Sequence, residues 1–158
     1  MTDSSDVKSI SLEGLIGSKT VKAQVQVVNW EAAVDGVGQL LLDAGKIEAA
    51  YIPAMKRVLK EMGPYAVIAP GIVLLHGRPE DGVLEPCLGL MTLKEGVPFG
   101  HSENDPVDLV FALGAVDKQA HVLSLKALAE LLGQAEFLRK LRAAATDRQL
   151  AEIFGTTV

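Results

Sequence analysis

Gly63-Pro64-Tyr65-Ala66-Val67-Ile68-Ala69-Pro70-Gly71-Ile72-Val73-Leu74-Leu75-His76-Gly77-Arg78-Pro79-Glu80-Asp81-Gly82 is the stretch on which the fold turns. Tyr65–Ala69 and Ile72–Leu75 are apolar runs too short for helices, separated by the turn dipeptide Pro70-Gly71. Apolar runs of about four to eight residues bounded by Gly and Pro read as buried strands. The second run delivers His76 into a polar loop, Gly77 to Gly82. An imidazole at a strand end stands where open α/β sheets place their functional sites.

Helical and strand patterns alternate on both sides of this stretch. Upstream, Val21–Val28 alternates apolar and polar residues and reads as a half-buried strand. Asn29 is a cap for a helix carrying Ala32, Ala33, Val37, Leu40 and Leu41 at helical spacing, ended by Gly45. A second helix is expected over Ile47–Met62, with Pro53 in its first turns, where a missing N–H costs little. Downstream, Leu84–Leu93 and Leu109–Val116 read as strands, with Glu95-Gly96 as a turn and Ser102–Pro106 as a loop. Lys118–Leu132 keeps helical spacing. Two short helices, about 135–144 and 147–154, close the chain, the last capped by Thr146 with Gln149 at the capping-box position. The fold class is therefore α/β, a single layered domain over residues 1–158 with a mixed β-sheet flanked by helices on both faces. Residues 1–8 are expected to be a polar tail.

Composition narrows the function. A chain of 158 residues is long enough to bury a core without staples. Its one cysteine excludes an internal disulfide and a four-cysteine zinc site. A net charge of −5 argues against a sequence-independent nucleic-acid binder, which needs a basic face. No apolar run reaches the length of a membrane span, and the acidic start is the reverse of a signal peptide. The expected location is the cytoplasm. Phosphate-loop, dinucleotide and nucleophile-elbow motifs are all absent.

Three histidines remain as the scarce chemical resource. His76 is a candidate nucleophile, mostly neutral near pH 7. Gly77 gives room for a bulky partner to approach, and Arg78 supplies a cation suited to a phosphoryl group. The plain alternative is a surface-loop histidine without a role. His121 falls in the first turn of the helix from Lys118, where free N–H groups attract anions. On spacing alone, a histidine that merely helps start the helix is the commoner outcome. His101 lies in an acidic turn and reads as a bystander at the edge of the site. Glu80, Glu103, Asp105 and Asp108 offer oxygen ligands, but no two histidines share a helical face, so no metal and no cofactor is expected. Cys87, inside a strand with no basic neighbour, reads as packing.

The blocks Gly63–Ile72 and His76-Gly-Arg-Pro-Glu-Asp-Gly-Val83 resemble the active-site region of phosphotransferase-system (PTS) enzyme IIA domains of the mannitol/fructose-type superfamily. The ascorbate-type branch is suggested by that second block and by Glu103-Asn-Asp-Pro-Val-Asp108. Leu109–Val116 followed by Asp117 and His121 resembles the family's second histidine block. The resemblance covers roughly residues 20–155. It implies a phosphocarrier of a sugar-uptake system, possessing the same mixed fold. His76 would accept phosphate from the histidine phosphocarrier protein and pass it to a cysteine of a cognate IIB component. His121 would stabilise that phosphate, with Gly77 and Arg78 in support. The chain would associate with a membrane permease complex without spanning the bilayer. The family usually has proline before the acceptor. Here Leu75 frees that dihedral, which implies a less rigidly held histidine. The alternative is a regulatory enzyme IIA-like protein that binds partners by phosphorylation state without feeding a permease. Mannitol-type members carry an arginine in the helix before the block; the nearest positions here hold Arg57 and Val58, and Arg78 is the safer local cation.

Overall fold

Alternation along Ile72–His76 becomes alternation in space. Val73 and Leu75 face one side of a sheet, and Ile72 and Leu74 face the other. The computed structural model describes residues 14–155, so the expected tail at 1–8 lies outside the described residues. Its elements are β1 (Val21–Val25), α1 (Trp30–Asp43), α2 (Tyr51–Met62), β2 (Val67–Ala69), β3 (Ile72–His76), β4 (Cys87–Val97), β5 (Val107–Gly114), α3 (Lys118–Leu132), α4 (Ala135–Ala143) and α5 (Asp147–Ile153). The strands form one five-stranded sheet in the order β1-β4-β5-β3-β2. β1/β4 and β3/β5 are parallel, while β4/β5 and β2/β3 are antiparallel. This is the mixed α/β sheet the sequence implies.

Both faces are covered. Val34, Val37 and Leu41 of α1 and Tyr51, Met55 and Leu59 of α2 pack on Val73, Leu75, Met91, Val110 and Ala112. Ala127, Leu128 and Leu132 of α3, Leu141 of α4 and Leu150 of α5 pack on Ile72, Leu74, Leu90, Leu109 and Phe111. A strand buried on both faces reads as a continuous apolar run, which is why β3 and β5 stood out in the sequence. The caps hold as expected. Asn29 Oδ1 accepts from Ala32 N–H at 2.9 Å, and Thr146 Oγ1 from Gln149 N–H at 3.1 Å. Gln149 Oε1 reaches back to Ala145 N–H at 2.8 Å, satisfying another donor at the α5 start.

Tertiary contacts moved several boundaries. Helix α2 begins at Tyr51, not Ile47, because the preceding segment is used to pin the loop after His76. Ile47 bridges Val83, Glu48 N–H bonds Gly82 C=O at 2.8 Å, and Leu84 N–H bonds Lys46 C=O at 2.9 Å. Tyr65 and Ala66 lie in a 3-10 turn, Gly63–Ala66, that leads into the short β2. Strand β1 stops at Val25, where a register shift and Gln24 at φ 58° break the alternation. Strand β4 passes through Glu95-Gly96 without turning, so that Val97 pairs with Val107. Glycine is needed there for close approach: a Cβ on Gly96 would stand 3.0 Å from Pro106 Cβ.

Gly71 is held more tightly still. Its φ is +77°, and a Cβ would come within 2.6 Å of Arg142 Nη2 and 2.8 Å of Asp108 Oδ1. Those two side chains form a bidentate pair at 2.9 and 3.0 Å, and Arg142 also donates to Pro70 C=O at 3.3 Å, tying α4 to the β2–β3 turn. Gly71→Ala combines left-handed strain with displacement of this pair. It is expected to cost about 1–3 kcal/mol, measured as a lowered denaturant midpoint at unchanged slope.

Candidate active site

His76 is the last residue of β3 and pairs in register with Leu113 of β5. Alternation turns its ring to the α3 face, half-buried. Its Nδ1 lies 3.3 Å from Leu74 C=O. A carbonyl only accepts, so Nδ1 carries the proton and Nε2 keeps a free lone pair. Strand β5 ends beside β3 and runs through Ala115-Val116 into α3. Asp117 caps that helix, accepting from Ala120 N–H at 2.7 Å. This geometry brings His121, in the first turn, over His76: the ring centroids are 5.1 Å apart at 57°. The two histidines ranked highest in the sequence therefore meet.

Burial holds His121 below the usual imidazole pKa, and positive charge on His76 pushes the same way. Neutral His121 has one N–H to donate and one lone pair. It does not compete for a proton with the neighbouring ring.

The loop after His76 is built differently from what its sequence suggests. Gly77 N–H donates to Tyr51 Oη at 2.8 Å, and that hydroxyl donates to Leu113 C=O at 2.7 Å. A Cβ at Gly77 would stand 3.0 Å from Tyr51 Cε1 and 3.3 Å from Asp81 Oδ2. The room at Gly77 is thus filled from within the protein, not left for an incoming partner. Tyr51 is fully buried, and desolvation pushes its hydroxyl up to about 12, so it stays protonated.

Arg78 is exposed and engaged with Asp81. Its backbone N–H donates to Asp81 Oδ2 at 2.9 Å, and its guanidinium lies 3.5 Å from both carboxylate oxygens. Arg57 on α2 approaches the same carboxylate at 4.0 Å. The Arg78 N–H bond, followed by the guanidinium charges, holds the Asp81 carboxyl below the usual carboxylate range. Glu80 also approaches Arg78 Nε at 3.9 Å, so two cations and two anions flank the strand end. Tyr51 and Asp81 were not singled out in the sequence. Tyr51 sits at helical spacing with Ala54, Met55 and Leu59, so it reads as core, and only the fold shows where its hydroxyl goes. Asp81 had a faint signal, a carboxylate following Arg-Pro-Glu at the start of a turn.

Leu75 is buried on the α1/α2 face and pairs with Ala112, and the ladder continues through His76. Strand pairing and core packing constrain the backbone just before His76.

His101 is also relocated. It precedes β5, whereas His76 lies beside the end of β5. The run from Val107 to Leu113 at about 3.3 Å per residue separates them by about 20 Å. His101 Nδ1 accepts from Glu103 N–H at 3.2 Å and Asn104 N–H at 3.0 Å, closing a turn. It is therefore not at the edge of the site. Glu103, Asp105 and Asp108 belong to that same far end. Among the described residues, no group of three or more His, Cys, Asp or Glu side chains is arranged to hold a metal ion. Cys87 is buried, and desolvation pushes its thiol up to about 11. Among the described residues, no helix is long and apolar enough to cross a membrane.

Known proteins share this fold. Residues 15–156 match the family described as "Phosphoenolpyruvate-dependent sugar phosphotransferase system, EIIA 2". The ascorbate-specific PTS system EIIA component of Escherichia coli K12 is 34% identical over 146 residues, spanning 92% of this chain and 95% of that protein. The solution structure of the mannitol-specific cryptic phosphotransferase enzyme IIA of Escherichia coli superposes with a TM-score of 0.78 at 33% identity, covering 93% of this chain and 97% of that one. Escherichia coli mannitol enzyme IIA, solved in complex with phosphorylated enzyme IIB, gives 0.77 at 22% identity, covering 89% and 96%; at that identity the likeness shows the fold. A family match over nearly the whole length and this identity over 92% of the chain show that it belongs to the EIIA type 2 family of the phosphoenolpyruvate-dependent sugar phosphotransferase system.

Proposed function

We propose that His76 is the phosphoryl acceptor of this chain. The donor is the phosphorylated histidine phosphocarrier protein, and the onward acceptor is a cysteine of a cognate IIB component. The observation that carries this reading is the state of the two rings: His76 Nδ1 is held by Leu74 C=O, leaving Nε2 nucleophilic, with neutral His121 5.1 Å away centroid to centroid.

The chemistry balances without a cofactor. His76 Nε2 attacks phosphorus in line, the phosphorus–nitrogen bond to the donor breaks, and the electron pair returns to the donor imidazole. The Nδ1 proton stays on His76, where the Leu74 carbonyl stabilises the now cationic ring. The second transfer reverses the roles, with a thiolate sulfur attacking and His76 leaving. The arriving phosphoryl group brings about −1.5 to −2 charge. His121 N–H donates to it, and the guanidinium groups of Arg78 and Arg57, balanced at rest by Asp81 and Glu80, lower the local cost of that charge when they turn toward it. Gly77 supports the site by admitting Tyr51.

Exposed Val116, Val122 and Leu84 offer apolar docking area for both partners around the site. Identity to ascorbate-specific EIIA components supports uptake of an ascorbate-type sugar, on the cytoplasmic face of a permease complex. The unbroken strand at Leu75 favours transfer over the regulatory alternative.

The test is incubation with phosphoenolpyruvate, enzyme I and the phosphocarrier protein, followed by intact-mass analysis. One phosphoryl group per chain is expected, lost in acid and retained in alkali. A chain that remains unlabelled overturns the proposal. Discharge onto a cysteine of IIB separates a transfer protein from a purely regulatory one.

A further inference from the structure

We infer that Tyr51 is a positioning residue for the phosphoryl acceptor, its hydroxyl standing as an inserted rung between β3 and β5 directly after the His76–Leu113 pair. The inference rests on the reading of His76 as acceptor.

In a parallel ladder, the N–H following a paired residue bonds the carbonyl of the facing strand. Gly77 N–H and Leu113 C=O are the groups available for the next rung after His76–Leu113. They do not bond each other. Tyr51 Oη accepts from the first at 2.8 Å and donates to the second at 2.7 Å. A hydroxyl carries one donor and free lone pairs, so it satisfies both groups at once. Two bonds in series hold the strands wider apart than one bond does. The hydroxyl therefore links the two strands directly after the His76–Leu113 pair.

The consequence for the ring is specific. Pairing of β3 with β5 fixes the backbone before His76. The bond from Gly77 fixes the peptide plane after it, and Leu74 C=O fixes Nδ1. Removing the hydroxyl leaves two outcomes. Either the rung closes directly, moving Gly77 toward Leu113 and turning the ring, or two buried backbone groups stay unpaired. Both loosen the direction of Nε2. Glycine at residue 77 belongs to the same device, since any Cβ would press on Tyr51 Cε1 at 3.0 Å.

The test compares Tyr51→Phe with Leu150→Ala, a fully buried substitution on α5 that lowers stability away from the site. Both are assayed well below their melting temperatures for phosphoryl uptake from the phosphorylated carrier. Tyr51→Phe is expected to lower kcat by about 10- to 100-fold, the cost of misplacing a reacting atom. KM is expected to hold, because the docking surface is untouched. Leu150→Ala is expected to keep its kcat. Nitrogen resonances of the His76 ring are expected to show the Nδ1–H tautomer in the wild-type protein and a mixture in Tyr51→Phe. Gly77→Ala, which displaces the same ring, is expected to reproduce the kcat loss, and it decides the matter if Tyr51→Phe does not fold. Wild-type kcat together with unchanged His76 resonances in these variants overturns the inference, as does an equal kcat loss in Leu150→Ala. If the wild-type chain itself takes no phosphate, the acceptor reading fails, and the positioning role is then judged by the His76 and Gly77 resonances alone.

Discussion

His76→Ala is expected to take up no phosphoryl group from the phosphorylated carrier protein, where the wild-type chain takes one. Among the described residues, Cys87 and His101 are unavailable as substitutes. Cys87 is buried and its thiol is pushed up to about 11, so it is protonated and shielded. His101 has Nδ1 committed to two backbone N–H groups at the other end of the sheet. His121 is close, its ring centroid 5.1 Å from that of His76, so any labelling that survives in His76→Ala would assign attack to His121. Alanine keeps the backbone pairing with Leu113, so the loss is chemical and not a loss of fold. Circular dichroism and a melting curve near wild type, beside an unlabelled mass, are the expected results. His101→Ala is expected to label fully. Normal labelling of His76→Ala would remove His76 from the mechanism.

His121→Ala is the second large effect, of a different kind. The chain is expected to label to completion but about 100- to 1000-fold more slowly, the typical cost of losing one preorganised donor to developing charge. The proposed nucleophile remains; what is lost is the group proposed to meet the phosphoryl oxygens. Single-turnover kinetics with excess phosphorylated carrier separate the slow rate from the unchanged end point. Unaltered kinetics would show that the ring pair is packing alone.

His121 also gives the domain a pH signature. Its pKa is lowered in the folded state, chiefly by burial and then by His76. In the unfolded chain the ordinary imidazole value of about 6.5 applies. Between the lowered value and about 6.5 the unfolded state therefore binds more protons. Stability attributable to His121 is level above this window and falls as pH drops through it. Denaturant midpoints measured from pH 8 to pH 5 are expected to show that fall, and His121→Gln to flatten it. A phosphoryl group on His76 acts oppositely, because a neighbouring negative charge favours protonated His121.

The local rules of sequence carried a long way. Asn29 and Thr146 cap their helices through side-chain oxygens that read the same in any context. The apolar runs at Ile72–Leu75 and Leu109–Val116 marked β3 and β5, because strands covered on both faces cannot hide their composition. What failed were readings that depended on a distant partner. Gly96 looks like a turn and is instead a point of contact with Pro106. Ile47 looks helical and is instead a bridge to Val83. His101 was expected at the edge of the site and stands at the far end of the sheet, since turn composition says nothing about which end a loop occupies.

The sequence by itself determined the α/β class, the strand end that carries His76 and the helix start that carries His121. Each is set by periodicity and capping within a few residues. Only the tertiary structure decided that the two histidines meet. Parallel pairing of β3 with β5 sends both chain segments out at one edge of the sheet, and this alone brings the two rings to 5.1 Å. The bonds of Tyr51 were decided there as well. Its spacing on α2 specifies only that it is buried; a hydroxyl inside the core must find partners, and the fold supplies them at Gly77 and Leu113.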